Sequence, residues 1–165
     1  MRVALSWLRE HVSLPADLTA EQLDAALNNL GIEVESIVDQ SSSVKGTPAV
    51  GRVLSIEELT EFKKPIRFCQ VDIGTRVHDV VCGAQNFAVG DLIPFATPGT
   101  VLPGGFAIGS RTTYGKLSDG MICSEAELGL ADQSAGILVL ESGEVGQDVV
   151  ELLGLRDEVL DIAIT

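Results

Sequence analysis

Two short groups of cationic and aromatic side chains are the residues best suited to chemistry in this sequence. Lys63-Lys64-Pro65-Ile66-Arg67 sets three positive charges between Phe62 and Phe68, and Arg111, Tyr114 and Lys116 form a second group. Cations that track phosphates, beside rings on which bases stack, are the working parts of single-strand nucleic-acid recognition. The plainer reading is ordinary solubilising side chains on loops. If two or three of these groups touch phosphates, the salt slope is about −1.4 to −2, a grip that positions RNA without capturing it unaided.

Other chemistry finds little support. Cys69, Cys82 and Cys123 are an odd set with no CxxC spacing, lying in apolar runs, so they read as reduced, buried thiols and not as a disulfide frame, zinc knuckle or nucleophile. His11 and His78 are the only histidines, too few for a His-based metal site. Gly104-Gly105 lacks the Lys and Ser/Thr of a phosphate loop. Glu57-Glu58 and Asp157-Glu158 read as solvated faces. No catalytic and no metal-binding residue is assigned.

The formal net charge of −13 counts against strong autonomous affinity for RNA or DNA. The charge is uneven, however. From Lys45 to Asp148 there are 8 Lys and Arg against 13 Asp and Glu, whereas the flanks hold 3 against 11, so the middle keeps nearly all the cations. The N-terminus has no secretory pattern, since Arg9 and Glu10 break its apolar run, and no stretch approaches a membrane span. The expectation is a cytoplasmic protein.

The elements that must position these side chains fall into two textures. Arg2–Leu5 reads as a strand, and Ser6 as the cap of a brief helix carrying Leu5, Leu8 and Val12. Thr19-Ala-Glu-Gln22 is a capping box opening a second helix with Leu23, Leu27 and Leu30 on its apolar stripe, stopped by Gly31. Ile32–Ile37 alternates as a half-buried strand. A polar hinge at 40–43 then ends the helical periodicity. Strands are predicted over Val50–Ile56, Ile66–Ile73, Val77–Cys82, Leu92–Ala96, Phe106–Thr113 and Gly136–Leu140, separated by Gly/Pro turns, which suits a small closed barrel of the oligonucleotide-binding (OB) type.

Within that middle, Gly120 leads into the apolar triplet Met121-Ile122-Cys123, and Ser124 with Glu127 makes a second capping box for a helix of little more than one turn closed by Leu128-Gly129. After Asp148, Val149–Leu155 reads as a short helix or turn and Val159–Ile164 as a strand for the middle of a sheet. The expected fold is mostly β with α+β: a discontinuous α+β domain from 1–40 plus 149–165, with an OB barrel over 41–148 inserted into it. The chain stops inside an apolar strand, which predicts a piece of a longer polypeptide.

Taken in order, Met1–Glu10, Gly31-Ile-Glu-Val-Glu35, Val81-Cys-Gly-Ala-Gln-Asn86, Pro98–Gly105, Gly120–Gly129 and Gly136–Leu140 make the whole chain resemble the N-terminal region of bacterial phenylalanine–tRNA ligase β subunits. The middle also resembles tRNA-binding OB domains appended to several synthetases. The resemblance implies a cytoplasmic tetramer of two α and two β subunits that joins phenylalanine to its tRNA with ATP and Mg²⁺, both bound outside this stretch. It implies no cofactor here, no membrane or DNA partner, and a weak tRNA contact. Lys63, Lys64, Arg67, Asn86, Arg111, Tyr114, Lys116 and Ser124 are the candidate RNA-binding residues. The segment Thr60–Arg67 departs from the family's usual His-Pro-Asn-Ala-Asp-Lys-Leu-like run yet keeps its positive charge. The alternative is a structural or protein-interaction module with little RNA contact.

Overall fold

The computed structural model describes residues 1–39, 42 and 44–164. The polar hinge read at 40–43 lies, apart from Ser42, outside the described residues. The chain forms two compact units, one from Met1–Ser42 with Gly154–Thr165, the other from Ser43–Leu153.

The first unit is a three-stranded antiparallel sheet with two helices. β12 (Glu158–Ile162) is central, between β1 (Arg2–Ala4) and β2 (Val34–Asp39), and its apolar sequence follows from that place. Helices α1 (Leu5–His11) and α2 (Ala20–Asn29) bring Leu5, Ala20 and Leu23 onto Leu160 to make the core. The α2 capping box forms as read: Gln22 N donates to Thr19 Oγ1 at 3.2 Å, and Thr19 N to Gln22 Oε1 at 3.0 Å. Arg9 fixes the connection between the helices by donating to the Pro15 and Leu18 carbonyls at 2.6 and 2.7 Å.

Three readings of this unit need correction. Ser6 lies inside α1, whose N-cap is Ala4. The cap is instead supplied from a distance by Asp157, which accepts from Ser6 N at 3.2 Å and Ser6 Oγ at 2.5 Å, so Asp157 is not merely a solvated charge. Leu30 is 75% exposed, because α2 ends at Asn29 and Gly31, at φ 81°, turns the chain off the stripe.

The second unit is built on a long strand, β3 (Ala49–Leu59). Its first half pairs with β6 (Leu92–Ala96) and its second with β4 (Ile66–Asp72), with a register shift between Val53 and Ser55 where the strand changes partner. β4 continues to β5 (Val77–Cys82) and β6 to β11 (Met121–Ile122), giving the order β11-β6-β3-β4-β5. The hairpin of β9 (Ser110–Thr113) and β10 (Lys116–Asp119) lies against β5, and β11 also packs there. Val81 N donates to Ser118 Oγ at 3.0 Å across that seam. The sheet thus curls round an interior of Val53, Val71, Val80, Ile93 and Phe95, in the OB manner. Each such side chain contributes about 1.5–3 kcal/mol by leaving water.

A polar staple holds the hairpin to β5. Asp119 accepts from Ser110 Oγ, accepts from Arg76 Nη2 at 3.0 Å, and lies 2.8 Å from Nδ1 of the buried His78, whose ring tilts against Phe95. The Ser110 hydroxyl above all, then His78 and Arg76, hold the Asp119 carboxyl below the ordinary carboxylate range, outweighing burial.

The strand reading of this unit also changes in detail. Phe106–Thr113 is two strands, because β8 (Phe106–Ala107) pairs with β7 (Val101–Leu102) before the chain enters β9. Gly136–Leu140 is no strand; it joins the barrel by a single bridge from Leu140 to Leu92 and by bonds from its backbone. The box at Ser124 forms, with Ser124 N donating to Glu127 at 2.7 Å and Glu127 N to Ser124 Oγ at 3.2 Å, but it caps a hydrogen-bonded turn and no helix, since Gly129 at φ 75° reverses the chain at once. Helix α3 (Val149–Leu152), capped by Asp148, buries Val149 among Val50, Leu102 and Leu128, which places it in the barrel unit.

Candidate nucleic-acid interface

Lys63 and Lys64 stand exposed on the loop between β3 and β4. Arg111 is exposed on β9. The β9–β10 hairpin turns through Tyr114 and Gly115, both at positive φ (52° and 73°), a pair of values that a two-residue turn between right-twisted strands requires. That turn carries the Tyr114 ring to the Phe62 ring, edge-on at 4.8 Å between centroids. The two cationic groups, far apart in sequence, are therefore joined through their aromatics. Lys116 lies over the Phe68 ring at 5.1 Å and reaches Glu57 at 3.8 Å, a loose pair that leaves its charge largely available.

Beside this rim opens a cleft of about 820 Å³. Ile66, Val81, Met121 and Ile137 give it apolar walls, Ser118, Ser124 and Glu127 give it polar atoms, and Phe106, Arg111 and Tyr114 reach its lining from the two hairpins. Tyr114 is 42% exposed and Phe106 57%. Exposed rings of this kind on a barrel's loops are available for stacking.

Three candidates are occupied within the barrel itself. The Arg67 guanidinium lies 2.8 Å from Glu58, donates to Gln85 Oε1 at 3.2 Å and to the Phe87 carbonyl at 2.5 Å, and sits 5.1 Å over the Phe87 ring. Its pattern in the sequence resembled the neighbouring lysines, but β4 turns it sideways along the sheet. Asn86 acts as a surrogate strand: Nδ2 donates to the Ile137 carbonyl at 2.8 Å and Oδ1 accepts from Ile137 N at 3.1 Å. Ser124 is the buried cap described above. Of these three only Ser124 lines the cleft, and Lys63, Lys64, Arg111, Tyr114 and Lys116 remain to meet a ligand.

Phe106 was missed as a site residue because its strand-like context concealed that it follows the Gly104-Gly105 turn at a loop edge. Glu127, which in the sequence marks only half of a capping box, also lines the cleft. Burial pushes the Cys69 and Cys123 thiols up to about 12 and raises that of Cys82, which fits inert packing groups. Among the described residues no helix is long and apolar enough to cross a membrane.

Residues 49–148 match the family model described as a putative tRNA binding domain. Over its whole length the chain is 55% identical to the phenylalanine–tRNA ligase β subunits of Thermobifida fusca and Streptomyces avermitilis, and 50% identical to that of Mycobacterium leprae. It spans about a fifth of the length of these relatives (21%, 21% and 20%). Among solved structures, a CsaA chaperone protein from Picrophilus torridus is similar at 14% identity and a TM-score of 0.45, over 62% of this chain and 90% of that one. Through residues 49–148 the chain belongs to the putative tRNA-binding domain family, and along its whole length it is homologous to phenylalanine–tRNA ligase β subunits.

Proposed function

We propose that this chain is an accessory, non-catalytic tRNA-positioning region of a cytoplasmic phenylalanine–tRNA ligase. The observation that carries the reading is the Phe62–Tyr114 contact, which brings the loop bearing Lys63 and Lys64 to the hairpin bearing Arg111 and Lys116, where Arg111 and Tyr114 line a cleft on an OB barrel. Phosphates meet the lysines and Arg111, and an unpaired base meets the Tyr114 ring. The barrel's acidic balance keeps this grip weak, so it orients tRNA that other parts of the enzyme hold. Joining phenylalanine to tRNA, with ATP and Mg²⁺, belongs to the longer protein and its α subunit in a tetramer of two α and two β chains. Among the described residues no group of three or more His, Cys, Asp and Glu side chains is arranged to hold a metal ion. The division into two units supports reading the barrel as an insertion in the α+β unit.

The test is charge reversal at Lys63, Lys64 and Arg111 in the full-length enzyme, leaving Arg67 intact. A raised KM for tRNA, with kcat and subunit assembly unchanged, is the expected result. Unchanged tRNA kinetics would make the barrel a structural module instead.

A further inference from the structure

The cleft beside the cationic rim has features that phosphate binding alone does not need. Its volume, about 820 Å³, lies in the range of roughly 300–1,000 Å³ typical of small-ligand sites. Phe106 stands at its edge on β8, 57% exposed, a ring with one face to offer. Glu127 is in its wall, and among the described residues only one of its oxygens, Oε2, has a hydrogen-bond partner, Ser124 N at 2.7 Å. A carboxylate has further lone pairs and accepts only, so it favours a ligand edge that donates. Arg111 in the lining supplies a cation for the phosphate of that same ligand.

We infer that the cleft receives one unstacked nucleobase carrying an exocyclic amino group, stacked on Phe106 and read by the Glu127 carboxylate. Adenine, cytosine and guanine present such an N–H₂ donor; uracil has carbonyl oxygens in its place, which flank its single N3–H donor and which a carboxylate repels. The pocket thus adds base preference to a rim that is indifferent to sequence. This rests on the proposed RNA-binding reading and goes beyond it in naming which bases enter.

The substitution Glu127→Gln isolates the reading group, because a glutamine at the third position of a capping box still reaches back to the Ser124 N–H. Gly83→Leu blocks the cleft independently. A Cβ at Gly83 would meet only Ile66 Cδ1, another lining atom, at 3.9 Å, and the Gly83 backbone lies outside the left-handed region. Binding is measured by fluorescence anisotropy of the 165-residue chain with uridine pentamers and with pentamers bearing one central A, C or G, with tRNA measured in parallel at low salt.

The wild type is expected to prefer the amino-bearing pentamers roughly fivefold or more over all-uridine, a preference that Glu127→Gln reduces to below about twofold without changing the thermal midpoint. Gly83→Leu and Phe106→Ala are expected to weaken the amino-bearing pentamers to the all-uridine level. Binding of tRNA with no preference among pentamers, or a preference that survives Glu127→Gln, overturns this inference alone. No binding of any pentamer, even at low salt, likewise overturns this inference, and the RNA-binding reading falls with it only where charge reversal also leaves the KM of the full-length enzyme for tRNA unchanged.

Discussion

Asn86 and Gly136 meet so closely that no side chain fits between them: a Cβ on Gly136 would stand 2.3 Å from Asn86 Oδ1. The closeness exists because Asn86 clamps both polar groups of the Ile137 backbone. Asn86→Ala leaves the N–H and carbonyl of this buried residue without partners, at a cost of about 1–3 kcal/mol. Gly136→Ala costs a similar amount, because the clamp must open to admit the methyl group. The double mutant is expected to be less destabilised than the sum of the two, since the clash is gone once Asn86 is removed. Urea midpoints of the three variants check this, and strict additivity would sever the link.

Arg67 and its neighbouring lysines separate in a second experiment. Arg67→Gln removes the donor to the Phe87 carbonyl and unpairs Glu58, costing about 1–2 kcal/mol of stability, discounted because Glu58 is half exposed. Lys63→Ala and Lys64→Ala change stability by less than about 0.5 kcal/mol. Each is expected to lower the magnitude of the salt slope for tRNA by about 0.7 for every phosphate that its lysine neutralises. A stable Arg67→Gln protein with a reduced salt slope would return Arg67 to the RNA surface.

How much of this was legible in the sequence depends on the range of the interactions. The α2 box, the strands β5 and β6 and the central apolar β12 were readable, because spacing and burial period are local signals. The use of each polar side chain was not. Arg67, Asn86 and Asp157 are all claimed by partners distant in sequence, and only pairing across the fold decides whether a charge faces water or a carbonyl. The segment after Ser124 was largely local too: its cap and its close at Leu128-Gly129 were both evident, although the residues between them form a turn and no helix. The cationic groups were visible as composition, while their meeting through Phe62 and Tyr114 required the barrel.

Gly120 tests the seam of the barrel. Its φ of 119° suits glycine alone, and a Cβ there would lie 2.5 Å from Phe95 Cζ and 2.7 Å from the Ala96 carbonyl oxygen. Phe95 is fully buried and has nowhere to retreat. Gly120→Ala is therefore expected to cost more than about 3 kcal/mol, a large share of a domain's usual 5–15 kcal/mol. Denaturant titration would show a markedly lower midpoint, and a wild-type midpoint would mean that β6 and β11 can part without loss.

Asp119 gives the protein a defined acid limit. Its carboxyl titrates below the ordinary value in the folded state, chiefly because the Ser110 hydroxyl donates to it, with His78 and Arg76 assisting. A depressed folded value means that the unfolded chain takes up the proton first as pH falls. The stabilisation is thus complete above the unfolded carboxylate value of about 3.9 and is lost progressively as pH drops through it towards the folded value. Asp119→Asn removes this dependence, since the amide keeps its shape but carries no titrating charge. At pH 6 the variant is expected to be less stable than the wild type, and the gap between their thermal midpoints to narrow steadily from about pH 4 downward. The staple joins β10 to β5, so the protection of Val81 N, which donates to Ser118 Oγ, relative to its intrinsic exchange rate should fall in the same window. Parallel acid profiles for the two proteins would mean that the hairpin is held without the Asp119 charge.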